Sequence, residues 1–102
     1  MSLTDLYDKL VATGLPVAYS HFDSRQDTPF VVYMETGSNN FDADNSVYHA
    51  VRAVRIELYT EKKDLTAEAK VEAALAGVPW ESYETYIDTE KMYQIAYDII
   101  EV

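Results

Sequence analysis

From Val47 to Thr60 the sequence reads as one long β-strand, and that segment constrains the fold most. Val54, Ile56 and Leu58 fall on one face, with Arg55 and Glu57 on the other, which is the alternation of a half-buried strand. Fully extended, the segment would reach about 45 Å at the usual rise of ~3.3 Å per residue. Few strands in a small domain are that long, so part of it should project past the sheet or bend at a bulge, with His49 and Ala50 marking the place. Phe30–Thr36 precedes it as a second strand, whose apolar run predicts burial on both faces near Val31 and Val32. Between them, residues 37–45 (Gly-Ser-Asn-Asn-Phe-Asp-Ala-Asp-Asn) read as a polar loop. The result is a β-hairpin that outgrows its own domain.

The remaining elements follow from periodicity and punctuation. Leu3, Leu6, Tyr7, Leu10 and Val11 make an apolar stripe on a helix over Thr4–Thr13, started by Ser2 or Thr4 and ended by Gly14 and Pro16. Asp5 and Asp8 lie near the positive end of its dipole. Val17–Phe22 reads as a strand and residues 23–29 as a loop. Asp64 caps a second helix whose apolar face is Ala67, Val71, Ala74, Leu75 and Val78, closed by Gly77 and Pro79. Trp80–Ile87 and Met92–Ile100 are the last two strands, and Tyr93, Ile95, Tyr97 and Ile99 share a face. The expected fold class is α+β in the order α-β-β-β-α-β-β: two helices packed on one face of a mostly antiparallel sheet, with a long protruding hairpin. One domain is expected over residues 1–102, with no linker and no internal repeat.

Composition narrows the functional classes. The chain carries 18 acidic and 8 basic residues, a net charge of -10. Such a chain repels nucleic-acid phosphates unless its cations cluster, and Arg52/Arg55 and Lys62/Lys63 are its only close pairs. Acidity serves solubility; it also suits a surface past which DNA slides, or a DNA mimic occupying a DNA-binding protein. No cysteine is present, which removes disulfides, thiol nucleophiles and cysteine-type zinc sites. No apolar run approaches the ~20 residues of a membrane span, and the N-terminus does not read as a secretion signal. Nine tyrosines stand out. Tyrosine favours both strands and protein–protein contacts, and the sequence does not separate the two uses.

A search for chemistry finds no catalytic, metal or cofactor site. His21 and His49 have no second histidine at ligand spacing. Asp42, Asp44 and Asn45 resemble the start of a calcium loop, but Val47 stands where such loops need glycine and Ala53 where they need glutamate. The three glycines, Gly14, Gly37 and Gly77, are too scattered for a phosphate loop. Ser20 and His21, read as strand neighbours, should point to opposite faces. The carboxylates near the C-terminus read as a solvated face.

The runs Leu6–Phe22, Pro29–Tyr33, Gly37–Tyr48 and Ile56–Asp64 together resemble a family of small proteins from prophages and tailed phages of Gram-positive bacteria, the head–tail joining and tail-terminator (tail-completion) proteins. The resemblance spans nearly the whole chain and rests on overall pattern, not on a diagnostic motif. It implies an α+β domain that assembles with itself into a ring, commonly a hexamer. That ring caps the tail tube and offers the surface on which the DNA-filled head docks. The implied partners are the tail-tube protein and the head–tail connector. Neither catalysis nor cofactor is implied, nor sequence-specific nucleic-acid binding, nor a membrane; DNA would pass through the ring. The implied location is the host cytoplasm during assembly and then the virion. On this reading the hairpin is an assembly arm, and Asn39, Asn40, Phe41, Asp42, Asp44 and Tyr48 are its candidate protein-interaction residues. The alternative is an acidic regulatory protein or DNA mimic acting on a host nucleic-acid-binding protein.

Overall fold

A computed structural model describes residues 1–43 and 46–100, with side chains placed outside residues 38–51 and residue 100. The element order is α1 (Leu3–Val11), β1 (Val17–Tyr19), β2 (Phe30–Ala43), β3 (Ser46–Thr60), α2 (Leu65–Ala74), β4 (Trp80–Ile87) and β5 (Met92–Ile100). This is the expected α+β order. The five strands form one sheet in the order β1-β2-β3-β5-β4. Only the β1–β2 pair is parallel.

Helix α1 starts where its capping chemistry is strongest. The Ser2 hydroxyl accepts from the Asp5 N–H at 3.1 Å, and the Asp5 carboxylate accepts from the Ser2 N–H at 3.0 Å. That reciprocal box satisfies two donors the helix leaves open. The two bonds, backbone first, hold the Asp5 carboxyl below its ordinary pKa. Leu6 and Leu10, one turn apart, are fully buried, whereas Tyr7 and Val11 on the flank of the same stripe remain exposed. In α2 the Asp64 carboxylate accepts from the Ala67 N–H at 3.0 Å, as the sequence predicts.

Both helices end through the same local device. Gly14 and Gly77 adopt φ of +84° and +83°, a region that favours glycine. Each is followed by an aliphatic residue packed on the core (Leu15, Val78), a proline (Pro16, Pro79) and the first residue of an edge strand. This short Gly-aliphatic-Pro motif therefore occurs twice, although the chain has no larger repeat.

Two expected boundaries are corrected. The first strand does not run to Phe22; it stops at Tyr19 because Ser20 turns to φ 67°. More important, the expected polar loop of residues 37–45 is largely strand. Gly37 pairs with Ala53, and the pairing continues through Asn39–Val51 to Ala43–Ser46. Glycine, serine and asparagine are poor strand formers, but the facing strand is rich in β-branched and aromatic residues, and tertiary pairing overrides propensity. The hairpin bends where one strand has a residue too many, at Thr36 in β2 and at Tyr48 in β3. The second irregularity lies one residue from the His49–Ala50 break expected from the sequence.

The core lies between the helices and one face of the sheet. Leu6, Leu10, Val71 and Leu75 meet Val31, Tyr33, Val54, Ile56, Leu58, Ile95, Tyr97 and Ile99. Each such side chain contributes about 1.5–3 kcal/mol on burial. The opposite face has no helix. It carries Phe30, Val32, Arg55, Tyr59, Ala96 and Asp98, with the Phe22 ring edge-on to Phe30 at 5.5 Å. Val31 and Val32 are both buried, so β2 is indeed covered on both faces at that point.

Candidate functional site

The hairpin leaves the sheet as a two-stranded ribbon. β1 pairs with β2 only at Val31–Tyr33, and β5 pairs with β3 only from Ala53 to Thr60. Among the described residues, Gly37–Ala43 on one strand and Ser46–Arg52 on the other pair only with each other. Two-stranded ribbons are marginal alone in water, and this one is tied at its base. Arg52 Nε lies 3.3 Å from a Glu35 carboxylate oxygen, and the Thr36 hydroxyl donates to the Ala53 carbonyl at 3.2 Å. The molecule measures 51 × 26 × 25 Å, twice as long as it is wide.

The backbone brings most of the sequence-nominated residues together on this ribbon. Asn39, Asn40 and Phe41 face Val51, Ala50 and His49, Asp42 faces Val47, and Tyr48 is the residue left without an opposite. The side chains of these residues lie outside the described ones, as does Asp44 altogether.

Nothing in the sequence separated surface tyrosines from core ones; strand order does. Tyr97 and Tyr33 are buried, at the centre of the sheet and under α1. Tyr7, Tyr19, Tyr83 and Tyr86 are exposed, together with Trp80. Among the described side chains, Tyr19 stands on one edge strand with Tyr7 of α1 beside it, and Trp80, Tyr83 and Tyr86 stand on the other. Tyr19 and Tyr7 flank Tyr33 with ring centroids 5.1 and 6.2 Å away. The Tyr19 hydroxyl accepts from the Glu35 N–H at 3.1 Å, beyond the last residue that β1 covers.

The helix-free face is polar at its centre. Arg55 donates two bonds to Asp98, at 2.7 and 3.0 Å. The Tyr59 hydroxyl donates to Glu57 at 2.9 Å and accepts from Gln94 at 2.8 Å. Burial is the main cause that holds the Tyr59 phenol above its ordinary pKa.

Among the described residues no group of three or more His, Asp or Glu is placed to hold a metal ion, and no helix is long and apolar enough to cross a membrane. A groove of ≈ 670 Å³ between the C-terminal ends of the helices is open and floored by alanines, with Lys9 and Lys70 among its lining residues. Ser20 and His21 require a correction. Because Ser20 has left the strand, its hydroxyl lies 3.2 Å from His21 Nδ1, and Asp23 stands 4.0 Å from Nε2. The His21 and Asp23 side chains are 74% and 105% exposed. Water competes for every contact of this trio, and no buried orienting group fixes the imidazole as nucleophile activation requires.

No protein-family model matches the sequence, and no curated protein matches it either. A chain in the solved structure of the virion of a native gene transfer agent particle shares the fold, with a TM-score of 0.69. The likeness covers 94% of this chain and 89% of that chain at 14% identity. At that identity it is a likeness of fold.

Proposed function

We propose that this chain is a non-enzymatic structural protein of a phage or prophage virion, and that it acts as a tail terminator. Copies of it form a ring that caps the tail tube and joins the tail to the head. The observation that carries this reading is the near-complete fold likeness to a chain of a gene transfer agent virion. Two features of the chain support it. The ribbon extends the molecule to 51 Å, a reach suited to a neighbouring subunit or the tube. The net charge of -10 suits a ring through which DNA slides without sticking. Asn39, Asn40, Phe41, Asp42, Asp44 and Tyr48 are the residues we assign to docking.

The test is genetic and structural. Particles from the source bacterium should contain the chain at the head–tail junction. Deleting its gene should leave unjoined heads and tails, with tails of unregulated length. The Phe41→Ala chain should fold normally and join fewer particles. Joined particles with tails of normal length in the deletion strain would reject the reading. Recovery of a host nucleic-acid-binding protein as sole partner would favour the acidic-mimic alternative.

A further inference from the structure

We propose that the two free edges of the sheet are the complementary halves of one head-to-tail contact between copies of this chain. The β4 edge of one copy, with Trp80, Tyr83 and Tyr86, seats against the β1–β2 edge of the next, with Tyr7, Val11 and Tyr19. The proposal rests on the ring reading above and names the surfaces that would build the ring.

Backbone chemistry sets the class of occupant. β4 is hydrogen-bonded on one side only, to β5. At the other end of the sheet, the outer side of β1 is open, and β2 beyond Tyr33 has no strand partner on that side, its Glu35 N–H being taken by the Tyr19 hydroxyl. Open rows of N–H and C=O groups are matched best by another strand. Natural edges are usually blunted by bulges, lysines or proline. β4 itself has no bulge, lysine or proline: it pairs with β5 without a register shift from Trp80–Ile99 to Ile87–Met92, and its charges are Glu81 and Glu84, the latter 2.6 Å from Lys63 Nζ.

The side chains at the two edges agree with the backbone. Among the described side chains, and apart from Met1, the exposed large apolar residues divide between the two ends of the sheet. Tyr7, Val11 and Tyr19 belong to α1 and β1, and Leu65, Trp80, Tyr83 and Tyr86 belong to α2 and β4. An aromatic side chain offers roughly 200 Å². At 37 and 47% exposure, Trp80 and Tyr86 on the helix side of β4, with Leu65, therefore present roughly 300 Å². Tyr83 on the other face of the strand adds roughly 100 Å². Both sides of the edge together give about half of the ~800 Å² per partner of a stable interface. A strand added along β4 would supply the rest. The two edges differ in sequence and lie at opposite ends of one sheet, so a contact between them is heterologous. Repeated, it builds a ring where the rotation between copies closes and an open filament where it does not, whereas β4 against β4 would stop at a dimer. A β4–β4 seam would also bring Glu81 and Glu84 of both copies together.

The chain has no cysteine, so introduced thiols report without background. The Tyr19→Cys/Tyr86→Cys chain, whose two positions share the helix side of the sheet, treated with a short bis-maleimide both in concentrated solution and in purified particles, should give a ladder of trimers and larger species. That ladder should exceed the yield from either single variant more than tenfold. If loss of the Tyr19 hydroxyl lowers the thermal midpoint, Val11→Cys/Tyr86→Cys makes the same test. A dimer from Tyr86→Cys alone, or no ladder in either sample, overturns the edge assignment. Particles that contain the chain but give no ladder would sink this contact alone. Particles that lack the chain would sink the virion reading beneath it.

Discussion

The hydroxyl of Tyr97, on the interior strand β5, donates to a carboxylate oxygen of Glu72 on α2 at 2.9 Å. Tyr97 is fully buried, and the Trp80 indole stands edge-on to its ring at 5.3 Å. One side chain therefore ties the second helix to the sheet and supports the edge strand beside it. A hydrogen bond to a charged group is worth about 1.5–3 kcal/mol. Tyr97→Phe should lower stability by about that amount while keeping the fold, and Tyr97→Ala should cost about 3–5 kcal/mol through the cavity it leaves. Urea denaturation followed by circular dichroism measures both.

The same pair sets an alkaline limit. Burial, and then the Glu72 bond, push the Tyr97 phenol well above its ordinary pKa. A raised folded-state pKa favours the protonated form, so this contribution is complete below the unfolded value of about 10 and is lost as pH rises above it. Tyr33 and Tyr59 shift in the same direction, with burial as the first cause. Spectroscopic titration should therefore show Tyr97 ionising only as the fold opens. A Tyr97→Phe chain whose alkaline unfolding midpoint is unchanged would contradict this assignment.

The Arg55–Asp98 fork is short and bidentate, yet its side chains are 39% and 36% exposed. Water weakens such pairs, and exposed ion pairs contribute about 0.2–1 kcal/mol. A double-mutant cycle on Arg55→Ala and Asp98→Ala should return a coupling in that range, shrinking as salt is added. A coupling several times larger would mean that this face is covered in solution.

What was legible in the sequence was local. The alternation of Val54, Ile56 and Leu58 against Arg55 and Glu57 placed β3 and its buried face, because strand geometry writes itself into every second residue. Asp64, Gly14 and Gly77 marked helix ends, because caps demand particular residue types. The strand character of Gly37–Ala43 was hidden, because it is imposed by the facing strand and not by the residues themselves. The contact between Ser20 and His21 was hidden by a single backbone turn at Ser20. The order β1-β2-β3-β5-β4 was equally illegible, and it decides that Tyr83 and Tyr86 stand at an edge while Tyr97 lies in the core. The nominated ribbon residues came from hairpin length and family resemblance; the edge tyrosines needed the topology.

The glycines offer a separate check on the backbone. Gly14 and Gly77 hold positive φ with open space around them, so a side chain there meets strain and no clash. Gly14→Ala and Gly77→Ala should each cost about 1–2 kcal/mol, the penalty of the left-handed region. Gly37 is equally open but has no such φ. Gly37→Ala should be neutral or stabilise by about 0.4–1 kcal/mol through the unfolded chain. Thermal melts of the three variants should separate them on this basis alone.

The ribbon should be dispensable for folding. Among the described side chains, Met34, Glu35, Thr36, Arg52 and Ala53 at the ribbon's base lie outside the buried cluster, and beyond them the described backbone pairs across the hairpin. Asn39 faces Val51 directly, so a two-residue Asn-Gly turn can replace residues 40–50 and keep the register. Shortening the closed loop also lowers its entropy cost. The trimmed chain should match the parent in urea stability to within about 1 kcal/mol, retain the Tyr97–Glu72 signature in alkaline titration and fail to join heads to tails. A trimmed chain that no longer folds would make the ribbon part of the folding unit; one that still joins particles would remove the ribbon from docking.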